Sequence, residues 1–258
     1  LNQCRMRIFL KTEDEIILLR AASQLATRAL IEVGRHVVPR LALSHLRNKV
    51  VNAVMRTVPT ELNSGKEALS SDTEFTFFVN GAYIEPSLEG ECMLCEGEWL
   101  TVNCWVCLDG YYSFGAHTFI VGSSQDDEPM TSTLRDMLRQ VVRRASAGHS
   151  IKEMSRTVYS LHSHDPYVLL KTFGHGVGRN RVENPILRMN PGVNDTVLLK
   201  EGMCLVIALA FKHGRSHLIK PRLMHESTFH NPFVPFGTTV VVRPGRPEIL
   251  TSFETIVK

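Results

Sequence analysis

EGEWLTVNCWVCLDGYYSFGAHTFIVG, Glu96 to Gly122, holds two β-forming runs joined by Asp109-Gly110. Trp99–Leu108 and Tyr111–Val121 are rich in aromatic and branched side chains. An Asp-Gly pair between such runs signals a two-residue hairpin, because both turn positions need positive φ. The stretch therefore predicts a long antiparallel hairpin near the middle of the chain.

Upstream of it the pattern is helical. Thr12 and Glu15 form a capping-box pair, and apolar residues recur from Ile16 to Val33 at helical spacing. That helix should end near Val38-Pro39. Ser44 is placed to cap a second helix through Leu46, Val50, Val54 and Met55. Phe75–Val79 reads as a strand. Downstream the same order returns. Leu134, Met137, Leu138, Val141 and Val142 share one helical stripe, and Ser150 with Glu153 opens another helix. Strands are predicted at Tyr167–Phe173, Cys204–Phe211, Phe236–Val242 and Glu248–Thr251. Two similar helix, helix, strands halves make an α+β fold with an internal duplication. No linker divides them, so residues 1–258 read as a single domain with its site between the halves.

Composition is that of an ordinary globular protein: 258 residues, 43% hydrophobic, 21% charged, net charge +3. No apolar run reaches the ~18 residues of a membrane span, so no membrane partner is expected. The chain starts at Leu1 without a secretory pattern, and six cysteines fit buried, reduced thiols. The expected location is an intracellular reducing compartment, mitochondrial matrix or cytoplasm. Cys92-x-x-Cys95 and Cys104-x-x-Cys107 have the outline of a zinc signature. Cys104 and Cys107 fall mid-strand, however, where residues three apart face opposite ways, so buried thiols are the reading preferred over zinc.

FGHGVG, Phe173 to Gly178, sets His175 among three glycines. This frame suits a ligand or base approached closely by backbone. Together with IFLKTEDEIILLRAASQLATRAL (Ile8–Leu30), the hairpin, KEGMCLVIAL (Lys200–Leu209) and PEILT (Pro247–Thr251), it resembles the type I methionine aminopeptidases in order and spacing. The resemblance implies their pita-bread fold, two pseudo-symmetric halves around a metal cleft.

It also implies where the family's five metal ligands would fall: Asn103, Phe114, His175, Ala208 and Gly237. Only His175 is kept. Two family histidines that contact substrate fall on Glu85 and Val182. A dinuclear hydrolase needs bridging carboxylates to balance about four positive charges; Asn, Phe, Ala and Gly supply none. The expectation is thus a catalytically inactive pseudoenzyme with no catalytic residue, no cofactor and no dinuclear metal.

Its expected role is that of a ribosome-associated or ribosome-assembly factor, touching ribosomal RNA, ribosomal proteins or other assembly factors. The candidate contacts are Arg139, Arg143, Arg144, Arg179, Arg181, Lys212, Arg215, Lys220 and Arg222, since clustered cations suit phosphate. Two alternatives stand beside it: a divergent metallopeptidase with an altered metal site, and a chaperone-type module binding peptide or histone in the old cleft. His213, His217, His225 and His230 read as a polar loop rather than a relocated metal site.

Overall fold

A computed structural model describes residues 7–58, 69–122, 129–162, 168–190, 197–212, 233–252 and Ile256. The first half comprises α1 (Glu13–His36), α2 (Leu43–Thr57), β1 (Glu74–Val79), β2 (Ala82–Tyr83), β3 (Trp99–Leu108) and β4 (Tyr111–Ile120). The second comprises α3 (Pro129–Arg143), α4 (Ile151–His162), β5 (Val168–Leu169), β6 (Thr172–Gly176), β7 (Glu183–Arg188), β8 (Cys204–Lys212), β9 (Phe233–Val241) and β10 (Glu248–Ile249).

The helices begin where their caps direct. Thr12 accepts the Glu15 backbone N–H, and the Glu15 carboxylate accepts the Thr12 N–H. Ser150 and Glu153 repeat the arrangement at α4. Ser44 does not cap α2. The cap position is Ala42, with no side-chain bond. The exposed N–H groups of Leu43 and Ser44 instead reach the carbonyls of Cys92 and Glu89, at 2.9 and 3.1 Å. Tertiary contacts thus satisfy the helix end that a cap would otherwise serve.

The hairpin forms as read. Leu108 pairs with Tyr111, and Asp109 and Gly110 take φ of 47° and 77°, the twist-matched turn. It sits inside one 10-stranded sheet of order β2-β1-β3-β4-β9-β8-β6-β7, with β10 on β9 and β5 on β8. The halves join at β4 and β9, where Ala116 faces Gly237.

Strand alternation then sorts the side chains into two layers. Leu100, Val102, Cys104, Val106 and Leu108 face the main core, where α1 packs on β3 and β4, and α3 on β8 and β9. The intervening residues of β3, Asn103 and Trp105, face the other way. There Phe114, Ala116 and Val206 gather in a smaller cluster, with Trp105, Tyr112 and Ala208 packed against it. The cysteines follow the same logic. Cys104 is fully buried and burial pushes its thiol far above the ordinary range; Cys204 is pushed up to about 12 by the same cause.

Two readings are revised. The run Tyr167–Phe173 is not one strand: β5 and β6 are separate, and β6 extends to Gly176. β7 was not expected, because Pro185 interrupts its pattern; it lies at one end of the sheet order, where a missing N–H is tolerated.

Candidate functional site

Asn103 on β3 faces Ala116 on β4, Ala116 faces Gly237 on β9, and Gly237 faces Ala208 on β8. Directly opposed residues lie on the same face of a sheet, as do residues two apart on one strand. Phe114 therefore shares the face of Ala116. His175, opposite Val206, shares the face of Ala208. The five positions implied by the resemblance are thus brought together on the face opposite α1 and α3. Curling of the sheet carries β6 round to the start of the hairpin, where the Tyr112 N–H donates to the Gly178 carbonyl at 2.8 Å.

Aromatic rings fill this concavity. The His175 ring lies parallel to the Trp105 indole, 10° between planes and 6.1 Å between centroids. Phe114 packs on the same indole at 4.7 Å. The Phe114 ring also covers Gly237: a Cβ there would stand 2.7 Å from Phe114 Cε1 and 3.1 Å from Ala208 Cβ. Gly237 and Phe114 are two halves of one packing solution.

Two polar atoms remain. His175 Nδ1 lies 2.8 Å from the Gly176 carbonyl, which can only accept, so Nδ1 donates. Nε2 then carries the lone pair of a neutral ring. Burial lowers the His175 pKa below the ordinary 6.5, against the opposing pull of the Gly176 bond. Asn103 Oδ1 is buried and accepts no hydrogen bond among the described residues. The concave face therefore offers two acceptors in an apolar, aromatic setting.

The His175 shift has a definite sign. The folded state resists protonation, so the unfolded chain binds more protons near pH 6. The contribution of neutral His175 to stability is complete above pH ~6.5 and is lost as pH falls through the lower folded value. An NMR titration of the His175 ring should give a midpoint below 6.5. A midpoint at or above that value would contradict the burial described.

At the rim, Arg181 stands over Trp105 and Tyr112, 5.6 and 5.7 Å from the ring centroids. It donates to Glu74 at 2.8 Å, which holds the Glu74 carboxyl below its usual range. Arg179 stands over Tyr111 at 4.7 Å. Asp72 accepts from the Tyr112 hydroxyl at 2.6 Å and is the main cause of its pKa being pushed up to about 12. Lys11 and Glu183 form a buried pair at 2.6 Å behind this rim.

The remaining sequence candidates do not join the site as a group. Glu85 is an exposed residue capping a 3-10 turn at Pro86–Leu88, and Val182 is 57% exposed. Arg139, Arg143 and Arg144 lie on or just past α3, apart from Arg179 and Arg181. Lys212 closes β8. Arg215, Lys220, Arg222 and the four late histidines lie outside the described residues. Trp105 was overlooked, although its position two residues from Asn103 on a strand already places both on one face.

The sequence profile of metallopeptidase family M24 matches residues 17–243, and the chain belongs to that family. The methionine aminopeptidase of Helicobacter pylori (strain ATCC 700392 / 26695) is 28% identical over 225 residues, covering 83% of this chain and 87% of the relative. That of Borreliella burgdorferi is 24% identical, covering 95% and 98%. The crystal structure of methionine aminopeptidase from Thermotoga maritima superposes with a TM-score of 0.76 at 20% identity, covering 95% of this chain and all of that one. The fold is the pita-bread fold.

These findings correct the reading of the chain as a catalytically inactive, ribosome-associated RNA-binding pseudoenzyme. The relatives carry peptidase names and the family is one of metallopeptidases. None of those names points to a ribosomal role. The side chains at the five positions bear on a different matter, the kind of centre. A pair of divalent ions bridged by carboxylates does not fit them. Asn103 and His175 offer two neutral donors, Phe114 puts a ring where charge would be required, and Ala208 and Gly237 offer nothing. Among the described residues no three His, Cys, Asp or Glu side chains are grouped to hold a metal ion. No described helix is long and apolar enough to cross a membrane.

Proposed function

We propose that the chain is a divergent M24 peptidase acting at the N-terminal end of peptides through an altered centre, from which the family's bridging carboxylates are missing. The family match over residues 17–243 carries this reading. Support comes from the concave face itself. A peptide's N-terminal ammonium is a donor of three hydrogen bonds, and Asn103 Oδ1 and His175 Nε2 are acceptors without a donor among the described residues. The apolar surface of Phe114 and Trp105 beside them suits an apolar first side chain such as methionine. His175, kept neutral by burial, is suited to take a proton at Nε2.

The experiment is release of methionine from a Met-Ala-Ser peptide, with Mn²⁺, Co²⁺, Zn²⁺ or Fe²⁺ supplied in turn. Release above the rate without protein is expected, and His175→Ala should lower it by about 100-fold or more. No release with any of the ions, while a methionine aminopeptidase works in the same buffers, overturns the reading.

A further inference from the structure

A second cavity, of about 570 Å³, opens between the C-terminal half of α3 and the turn joining β9 to β10. Its volume lies within the range of small-molecule sites. Arg139 and Arg143, one helical turn apart on α3, line one side, and Arg246 the other. Pro247 and Ile249 supply apolar surface between them over the buried Val142, and Ile249 is 43% exposed. No carboxylate lines the cavity among the described residues.

Charge balance decides what it can hold. Arg139 pairs with Asp136 at 2.6 Å, so Arg143 and Arg246 are the groups that decide. Arg143 and Arg246 make no ion pair among the described residues, and both are exposed. A second basic cavity, between α1 and α2, differs on this point: Glu32 lines it together with Arg28, Lys49 and Arg56, and already pairs with Arg28. The α3 cavity presents guanidinium groups with no acid among the described residues that line it. Guanidinium forks match phosphate oxygens two at a time. A bare phosphate would leave the apolar surface of Pro247 and Ile249 facing water. A phosphate bearing a planar, weakly polar body would cover it.

We propose that this cavity binds a nucleoside phosphate, with the phosphates on Arg143, Arg246 and Arg139 and the base against Pro247 and Ile249. The site is on the α3 side of the sheet, separate from the concave face, so it stands whether or not the peptidase reading does. The nucleoside phosphate is supplied either by a free nucleotide or by the end of a single-stranded nucleic acid.

The test is calorimetric titration of the whole chain with ADP, adenosine, pyrophosphate and a five-nucleotide single strand. ADP should bind, and should bind more weakly as salt is raised. Adenosine and pyrophosphate should each bind at least roughly tenfold more weakly than ADP. The Arg143→Glu/Arg246→Glu variant, altered at two exposed positions, should melt like the parent and lose ADP affinity by tenfold or more, on the order of the loss of one charge-assisted bond. Tighter binding of the strand than of ADP would assign the site to nucleic acid ends; the reverse would assign it to free nucleotide. Absence of ADP binding, or ADP binding unchanged in the double variant, overturns the proposal. Pyrophosphate binding as tightly as ADP overturns the place given to the base.

Discussion

Glu183→Ala lowers the stability of the fold by about 3–5 kcal/mol. The side chains of Lys11 and Glu183 are 4% and 5% exposed, and their charges meet at 2.6 Å. Glu183 also accepts the Asn180 backbone N–H at 3.2 Å. The Lys11 stem runs so close to Gly178 that a Cβ there would lie 2.2 Å from Lys11 Cε. Nothing but glycine fits while the lysine stays. Removing the carboxylate leaves a buried ammonium without its counter-charge, and that cost exceeds the worth of the pair itself. For a chain of this size the loss corresponds to about 2–4 °C of melting temperature per kcal/mol.

Lys11→Met should destabilise by a similar amount, while Lys11→Met combined with Glu183→Leu should recover most of the loss. Urea unfolding of the parent, Lys11→Met, Glu183→Leu and the Lys11→Met/Glu183→Leu double variant measures this directly. Strictly additive losses would contradict a coupled pair. The consequence reaches the site, because the pair pins the turn carrying Arg179 and Arg181 against the residue before α1. Those arginines stand over Tyr111, Trp105 and Tyr112. A loosened turn should therefore impair peptide turnover before it unfolds the chain.

The second large effect is at Phe114. Phe114→Ala should cost about 3 kcal/mol, the loss of a nearly buried ring that packs on Trp105 and roofs Gly237. Gly237→Val should cost about 1–3 kcal/mol by overpacking, since its Cβ meets the Phe114 ring at 2.7 Å. The two changes should not add. In the double variant the valine occupies part of the space the ring has left, so the combined loss should fall short of the sum by about 1 kcal/mol or more. A combined loss equal to the sum would mean that the ring does not fill the place above Gly237.

How much of this was open to reading from the residues follows from the physics of each element. The hairpin was legible because Asp109-Gly110 fixes a local turn, and the alternation of β3 then fixes every face. The capping boxes at Thr12 and Ser150 are likewise local. α2 was misread at its start because its end is satisfied by Cys92 and Glu89, two carbonyls far along the chain. β7 was missed because the tolerance of Pro185 depends on its being at an edge, which is a property of the sheet order. The five positions that the resemblance implies fall on one face of the sheet. That the His175 ring lies parallel to Trp105, beside the tilted ring of Phe114, depends on the curl of the sheet, which no local pattern reports. The functional inference failed for another reason. It inferred inactivity from the side chains at five positions, whereas the relatives of the chain carry peptidase names.

The most direct measurement of the centre is the number of divalent metal ions retained per chain in a preparation that is releasing methionine. An altered centre predicts fewer than two. Two tightly held ions per chain, surviving dialysis and lost with His175→Ala, would contradict it and would mean that side chains other than Asn103, Phe114, Ala208 and Gly237 complete the family's dinuclear site.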